Sequence, residues 1–181
     1  MVSDMREMEE TPTCTSHTIS LLVENKPGVL HRIAGLISRR GFNIASLTVG
    51  PTEHPEYSRM TIVLLLRSKS VEQVVRQVQK LVPVVEVREL SPNDLVEREL
   101  MLVKIRTPER NHGELRALAE TYQANVVDVS PDALIVEASG NAGKLDALEE
   151  RLRPFGIQEL CRSGRIALER GFKTLAPPSL K

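Results

Sequence analysis

"HTISLLVENKPGVLHRIAGLISRRGFNIASLTVG", residues 17–50, sets a strand, an elbow, a helix and a second strand in direct succession. From His17 to Val23, Ile19, Leu21 and Val23 alternate with Thr18 and Ser20, the period of a half-buried strand. Asn25, Lys26, Pro27 and Gly28 interrupt that pattern. Pro27 fixes its own φ and Gly28 takes positive φ cheaply, so the tetrapeptide suits a tight turn. Val29, Leu30, Ile33, Leu36 and Ile37 then fall on one helical face, and Gly41 supplies the stop. In "FNIASLTVG" the apolar phase slips, Phe42 and Ile44 giving way to Leu47 and Val49. A bulge near Ala45 and Ser46 accounts for the slip.

Working outward, "TEHPEY" (52–57) reads as a loop, and Met60, Ile62, Leu64 and Leu66 alternate with Arg59 and Thr61 in a third strand. The next helix has Ser70 and Gln73 as a capping box, an apolar face of Val71, Val74, Val75, Val78, Leu81 and Val82, and Pro83 at its end. "VVEVREL" is a fourth strand, and "SPND" (91–94) punctuates the chain. The order then repeats. "ELMLVKIR" is a strand, "NHGELRALAETY" a helix with Asn111 and Glu114 as a capping pair, and "NVVDV" and "ALIVEA" a hairpin. "GKLDALEERL" is a helix and "GIQELCR" the last strand. The two first strands start roughly eighty residues apart, so the period belongs to the pattern of elements. Two tandem βαββαβ units follow, each a ferredoxin-like α+β layer with helices on one face of an antiparallel sheet. The expected units are 17–91 and 97–171, joined by a linker at 92–96, with a leader at 1–16 and a tail at 172–181. Such a layer has a bare sheet face and two open edges, so pairing between copies, as a homodimer, is expected.

With 181 residues, 41% hydrophobic and 27% charged, the composition is that of a globular protein. The 24 basic and 24 acidic residues cancel, which leaves no overall field for nucleic acid or an anionic membrane. Five aromatics (Phe42, Tyr57, Tyr122, Phe155 and Phe172) are too few for a base-stacking sheet. Two cysteines make neither a disulfide scaffold nor a metal framework; Cys161, in a strand-like stretch, reads as a small buried hydrophobe. The leader holds four acidic residues and one arginine with no apolar core, unlike a secretory or transit signal. No apolar run nears the ~20 residues of a membrane span, and a cytoplasmic setting is expected.

Enzyme chemistry finds little support. The four histidines are scattered without ligand spacing, so no metal site is expected, and no nucleophile elbow, phosphate loop or dinucleotide fingerprint occurs. An acylphosphatase-like enzyme could share the fold, yet "ENKPG" lacks the arginine such chemistry needs. The elbow itself has two readings. It is a turn, or it is a binding site in which helix-end N–H groups at Gly28, Val29 and Leu30 hold a carboxylate, aided by ~0.3–1 kcal/mol from the helix dipole. Asn25 offers a donor and an acceptor to a zwitterion, and His31 sits in the first helical turn. Asn43 adds an amide beyond the other end of the helix, about 15 Å away at 1.5 Å per residue, so only a neighbouring copy could bring it to the same ligand. Spacing alone favours the turn.

The segments "VENKPGVL", "SRRGFNIASLTVGPTE" and "SRMTIV", followed by "VERELMLVKI", "NVVDVSPD", "SGNAGKLDALEE" and "SGRIALERG", resemble the small regulatory subunit of acetolactate synthase, which opens with an ACT domain. The likeness spans roughly residues 17–171. It implies a noncatalytic chain that activates a catalytic large subunit of branched-chain amino-acid biosynthesis and makes it sensitive to feedback, usually by valine. By the same resemblance the effector binds where two ACT domains pair, held by Asn25, Gly28, Val29 and Leu30 of one chain, with His31 nearby, and by Asn43 and Ile44 of the other. Thiamine diphosphate, magnesium and FAD are expected on the catalytic subunit and none on this chain. An ACT sensor of another amino acid, or for another partner, is the alternative.

Overall fold

Residues 15–66 and 71–177 are described by a computed structural model. β1 (Thr15–Glu24) leads through the elbow into α1 (Val29–Arg39), followed by β2 (Asn43–Pro51), β3 (Tyr57–Leu66), α2 (Val71–Val78) and β4 (Val84–Leu90). The strands form an antiparallel sheet in the order β2-β3-β1-β4. The β1–β3 register sets Ile19 opposite Ile62 and Leu21 opposite Met60, and β4 brings Val87 beside Leu21. Period-two alternation therefore gathers these residues on one face, where they bury against Val29, Ile33 and Ile37 of α1 and Val71, Val74 and Val78 of α2. The expected bulge is present: the β2–β3 register shifts between Ile44 and Ser46, which returns Leu47 to the core face.

The second unit repeats the plan with β5 (Leu95–Arg106), α3 (His112–Thr121), β6 (Asn125–Ser130), β7 (Ala133–Gly140), α4 (Ala142–Leu152) and β8 (Ile157–Arg162), in the order β6-β7-β5-β8. Its core joins Met101, Val103 and Ile105 of β5 to Leu134 and Val136 of β7, Leu115 of α3, and Leu145, Leu148 and Leu152 of α4. Two tandem ferredoxin-like layers, each with its helices on one face, are thus the architecture.

Several details depart from the sequence reading. β1 begins at Thr15, inside the expected leader, and β5 begins at Leu95, inside the expected linker. Leu95 and Val96 are strand because they pair with β9 (Ile166–Glu169), an element that periodicity did not reveal in "SGRIALERG". α2 closes at Val78, so Val82 lies beyond the helix and is 91% exposed. The proposed cap Ser70 lies outside the described residues. Asn111 precedes α3 with helical φ/ψ, after a 3-10 turn over Glu109–Asn111, and its side chain makes no capping bond. The cap of α4 is Asn141, which accepts from the Lys144 N–H at 2.9 Å. Cys161 is exposed rather than buried, because the β5–β8 register sets it opposite Leu102, away from the helices.

The expected bare face of the first sheet is covered by the chain itself. Thr18, Ser20 and Leu22 of β1 point away from the helices and are nonetheless buried. β9 contacts β1 and β3 there, and the segment after it lies across the same side with Leu175 buried. Arg59 donates to Ser20 Oγ (3.4 Å) and to the Leu175 carbonyl (3.1 Å). Arg88 pairs with Glu169 (2.6 Å) and Glu86 (2.5 Å) and donates to the Thr174 carbonyl (3.4 Å). The Arg88 hydrogen bond, with Lys173 adding its charge, holds the Glu169 carboxyl below the usual carboxylate range. The physical reason for the cover is that this mixed face needs both packing for Leu22 and hydrogen-bond or ionic partners for Ser20, Arg59 and Arg88, and the returning segment supplies them.

Candidate functional site

The elbow is set by local chemistry at both ends. Glu24 closes β1 opposite Tyr57, and Asn25 follows with its own N–H donated to the Glu56 carbonyl (2.8 Å). Gly28 stands at φ +83°, a left-handed geometry in which a side chain would be strained, and nothing lies within 4 Å of where its Cβ would be. It is the N-cap of α1 and brings no side-chain acceptor, and the first turn of the helix holds no acidic residue. The first turn therefore holds no competing anion, although the Val29 N–H already donates to the Lys26 carbonyl at a long 3.4 Å.

Asn25, Lys26, Pro27 and Gly28 are all exposed. Val29 is buried in the core, so it anchors the helix and contributes its backbone, whereas Leu30 is 43% exposed and His31 is exposed beside it. The Asn25 side-chain N–H donates to the Pro55 carbonyl (3.0 Å), which pins the 52–57 loop to the elbow. Thr52 braces that loop from inside, its Oγ1 donating toward the His54 and Tyr57 carbonyls (2.9 and 3.2 Å) and accepting from the His54 N–H (3.1 Å). One N–H and the Oδ1 of Asn25 stay open to solvent or ligand.

Asn43 and Ile44 begin β2, an edge strand of the sheet. The eleven residues of α1 separate them from the elbow, about 16 Å at 1.5 Å per residue. Within one chain the structure thus brings Asn25, Gly28, Val29, Leu30 and His31 together and leaves Asn43 and Ile44 apart from them, on an open edge. The elbow is an open surface feature, not an enclosed pocket. A cavity of about 330 Å³ lies elsewhere, between β2–β3 and the β5–β9 ribbon, walled by Thr48, Pro51, Thr61, Val96, Ile166 and Leu168.

The second unit has a counterpart elbow with different chemistry. Thr107 N–H donates to the Asp132 carbonyl (2.9 Å), as Asn25 does to Glu56, so the repeat extends to the lock between first and third strands. No left-handed glycine follows it. Instead α3 starts at a buried His112, with Glu114 in its first turn, which disfavours a bound carboxylate. Sequence reading missed the lock itself, because a backbone bond between residues thirty-one and twenty-five positions apart leaves no signature in composition.

Among the described residues no cluster of three or more His, Cys, Asp or Glu side chains could hold a metal ion, and no helix is long and apolar enough to cross a membrane.

Known proteins resemble the chain along most of its length. Residues 19–86 match the family model of the AHAS small subunit-like ACT domain, and residues 98–171 match that of the small subunit of acetolactate synthase. A probable acetolactate synthase small subunit of Archaeoglobus fulgidus is 49% identical over 157 residues, covering 87% of this chain and 98% of that one. The acetolactate synthase small subunit of Mycobacterium bovis is 48% identical over 156 residues, covering 86% and 93%. The crystal structure of the small subunit from Thermotoga maritima superposes with a TM-score of 0.80 at 38% identity, covering 88% of this chain and 99% of that one.

Proposed function

The chain belongs to the acetolactate synthase small-subunit family, and on that premise we propose that it activates a catalytic large subunit and makes it inhibitable by valine or another branched-chain amino acid. The division of labour follows the two units. Residues 17–91, the ACT domain, hold the effector and dimerise; residues 97–171 and the 52–57 loop face the catalytic subunit. Thiamine diphosphate, magnesium and FAD belong to that partner.

The observation that carries the reading is the split of the candidate residues into two halves, a solvent-facing elbow at one end of α1 and an open strand edge at the other. A two-fold pairing of β2 edges would bring Asn43 and Ile44 of one copy to Asn25 and Gly28 of its mate. The effector carboxylate would lie on the N–H groups at Gly28–Leu30, the Val29 N–H exchanging its long bond to the Lys26 carbonyl (3.4 Å) for the ligand, and the amides of Asn25 and Asn43 would meet its polar ends. Hydrogen bonds to charged groups contribute ~1.5–3 kcal/mol each. A coupling of ~1–3 kcal/mol is enough for strong feedback, provided the effector binds one arrangement of the pair better than the other. Asn25 supplies such a difference, because the same amide that meets the ligand anchors the 52–57 loop through Pro55.

Reconstitution with the catalytic subunit tests this. Acetolactate formation should rise when the chain is added and fall again with valine, while the chain alone turns over nothing. No rise on mixing would refute the regulatory role. A rise that no branched-chain amino acid reverses would refute the effector assignment alone.

A further inference from the structure

The outer face of β2 carries an attachment that the effector site does not use. The turn between β8 and β9, Ser163 to Arg165, sits directly on it. Arg165 N–H donates to Ser46 Oγ (2.9 Å), and Thr48 Oγ1 reaches the Ser163 carbonyl at a weak 3.5 Å. Gly164, at φ +80°, lies so close that a Cβ would stand 3.0 Å from both Ser46 Oγ and Thr48 Oγ1 and 3.5 Å from the Leu47 carbonyl. Backbone packs on strand here without slack.

From this turn a chain of charges enters the second unit. The Arg165 guanidinium pairs with Glu97 (3.0 Å) and Glu99 (3.4 Å) of β5 and donates to Thr18 Oγ1 (3.3 Å) of β1. Glu99 is only 8% exposed, so its carboxylate depends on these cations. It also faces Arg162 (3.7 Å), which pairs with Asp146 (2.7 Å) and Glu149 (2.9 Å) on α4. At the other end, Ser46 follows Ile44 across the β2 bulge at Ala45, two positions beyond the stretch assigned to the partner's effector.

We propose that the Ser163–Arg165 turn is the coupling element that carries the effector state of the β2 edge into the second unit, with Ser46, Gly164 and Arg165 as positioning residues. The inference rests on the effector reading above. A shift of β2 on effector binding must carry the turn with it or break the Ser46 bond, and the turn cannot move without disturbing the cations around buried Glu99. Close-packed contacts of this kind switch between discrete arrangements rather than stretch.

The test separates binding from response. Ser46→Ala and Gly164→Ala chains are compared with wild type by calorimetric titration with valine and by valine inhibition of the reconstituted enzyme. The expected result is valine affinity within about threefold of wild type, activation retained, and half-inhibition at roughly tenfold higher valine or more, a loss of about 1.4 kcal/mol of coupling. Gly28→Asp, by contrast, should lose binding and inhibition together. Should Gly164→Ala fail to fold, Ser46→Ala, which deletes one hydroxyl, keeps the test decisive. The proposal stands if either variant binds valine normally and resists inhibition. It is overturned if every folded variant is inhibited like wild type, or if binding and inhibition weaken in step. A wild-type enzyme indifferent to valine overturns it together with the effector reading.

Discussion

Gly28 combines a φ of +83° with open space above its Cα, so an aspartate there meets no steric wall. The obstacles are backbone strain of ~1–2 kcal/mol and a negative charge at the place proposed for the effector carboxylate. Gly28→Asp should therefore raise the valine needed for half-inhibition by at least about tenfold, with activation largely intact, as read in the reconstituted enzyme. Glu169 allows a prediction from pH. Its folded pKa is depressed by the Arg88 hydrogen bond from an ordinary 4.5, so the bridge stabilises the fold fully above that value. That contribution is lost as pH falls through the depressed folded value. Glu169→Gln should lower stability at neutral pH, and its deficit against wild type should shrink as an acid titration followed by circular dichroism passes below about pH 4.

At the scale of elements, β2 decides most. It is an edge strand, paired with the next strand β3 on one side and open on the other, while its outer face supports the sequence-distant Ser163–Arg165 turn. An open edge invites pairing with a second copy. Val49, 43% exposed near the end of this strand, would face its own counterpart's neighbourhood across a two-fold axis. Val49→Glu should weaken self-association by at least about tenfold, measured by sedimentation over a dilution series, without lowering the melting temperature much. The elements themselves were readable from sequence wherever one face was buried. Ile19, Leu21 and Val23 alternate because helices cover only their side, and the bulge at Ala45 is visible as a slip of that alternation. Legibility failed at β9, whose four residues pair with the start of β5 and leave Ile166 and Leu168 more than half exposed. Such a strand is made by its partner, so its own pattern gives little signal.

At the scale of the whole molecule, the two units are joined by more than the chain between them. β9 and the segment after it return from the second unit to the outer face of the first sheet, and Leu175 is buried there while Arg59 and Arg88 donate to the Leu175 and Thr174 carbonyls. Burial draws the Arg59 guanidinium below its ordinary range, opposed by the charges of Glu53 and Glu86. Leu175→Ala should destabilise the protein by about 2–3 kcal/mol in denaturant unfolding, a core-sized penalty for a residue in what composition marks as a tail. An effect under about half a kcal/mol would mean that the segment does not hold this face closed.

The sequence by itself determined the order of the elements other than β9, the repeat of a βαββαβ unit, the side of most strands that faces the helices, and the turn geometry at Pro27 and Gly28. These follow from local stereochemistry and from periods of two and 3.6 residues, which are written along the chain. Only the tertiary structure decided what covers the first sheet's outer face, which loop Asn25 holds, and how Arg165 joins β2 to the second unit. Those contacts link residues up to 147 positions apart. Their energy comes from close approach in space, to which periodicity along the sequence is blind.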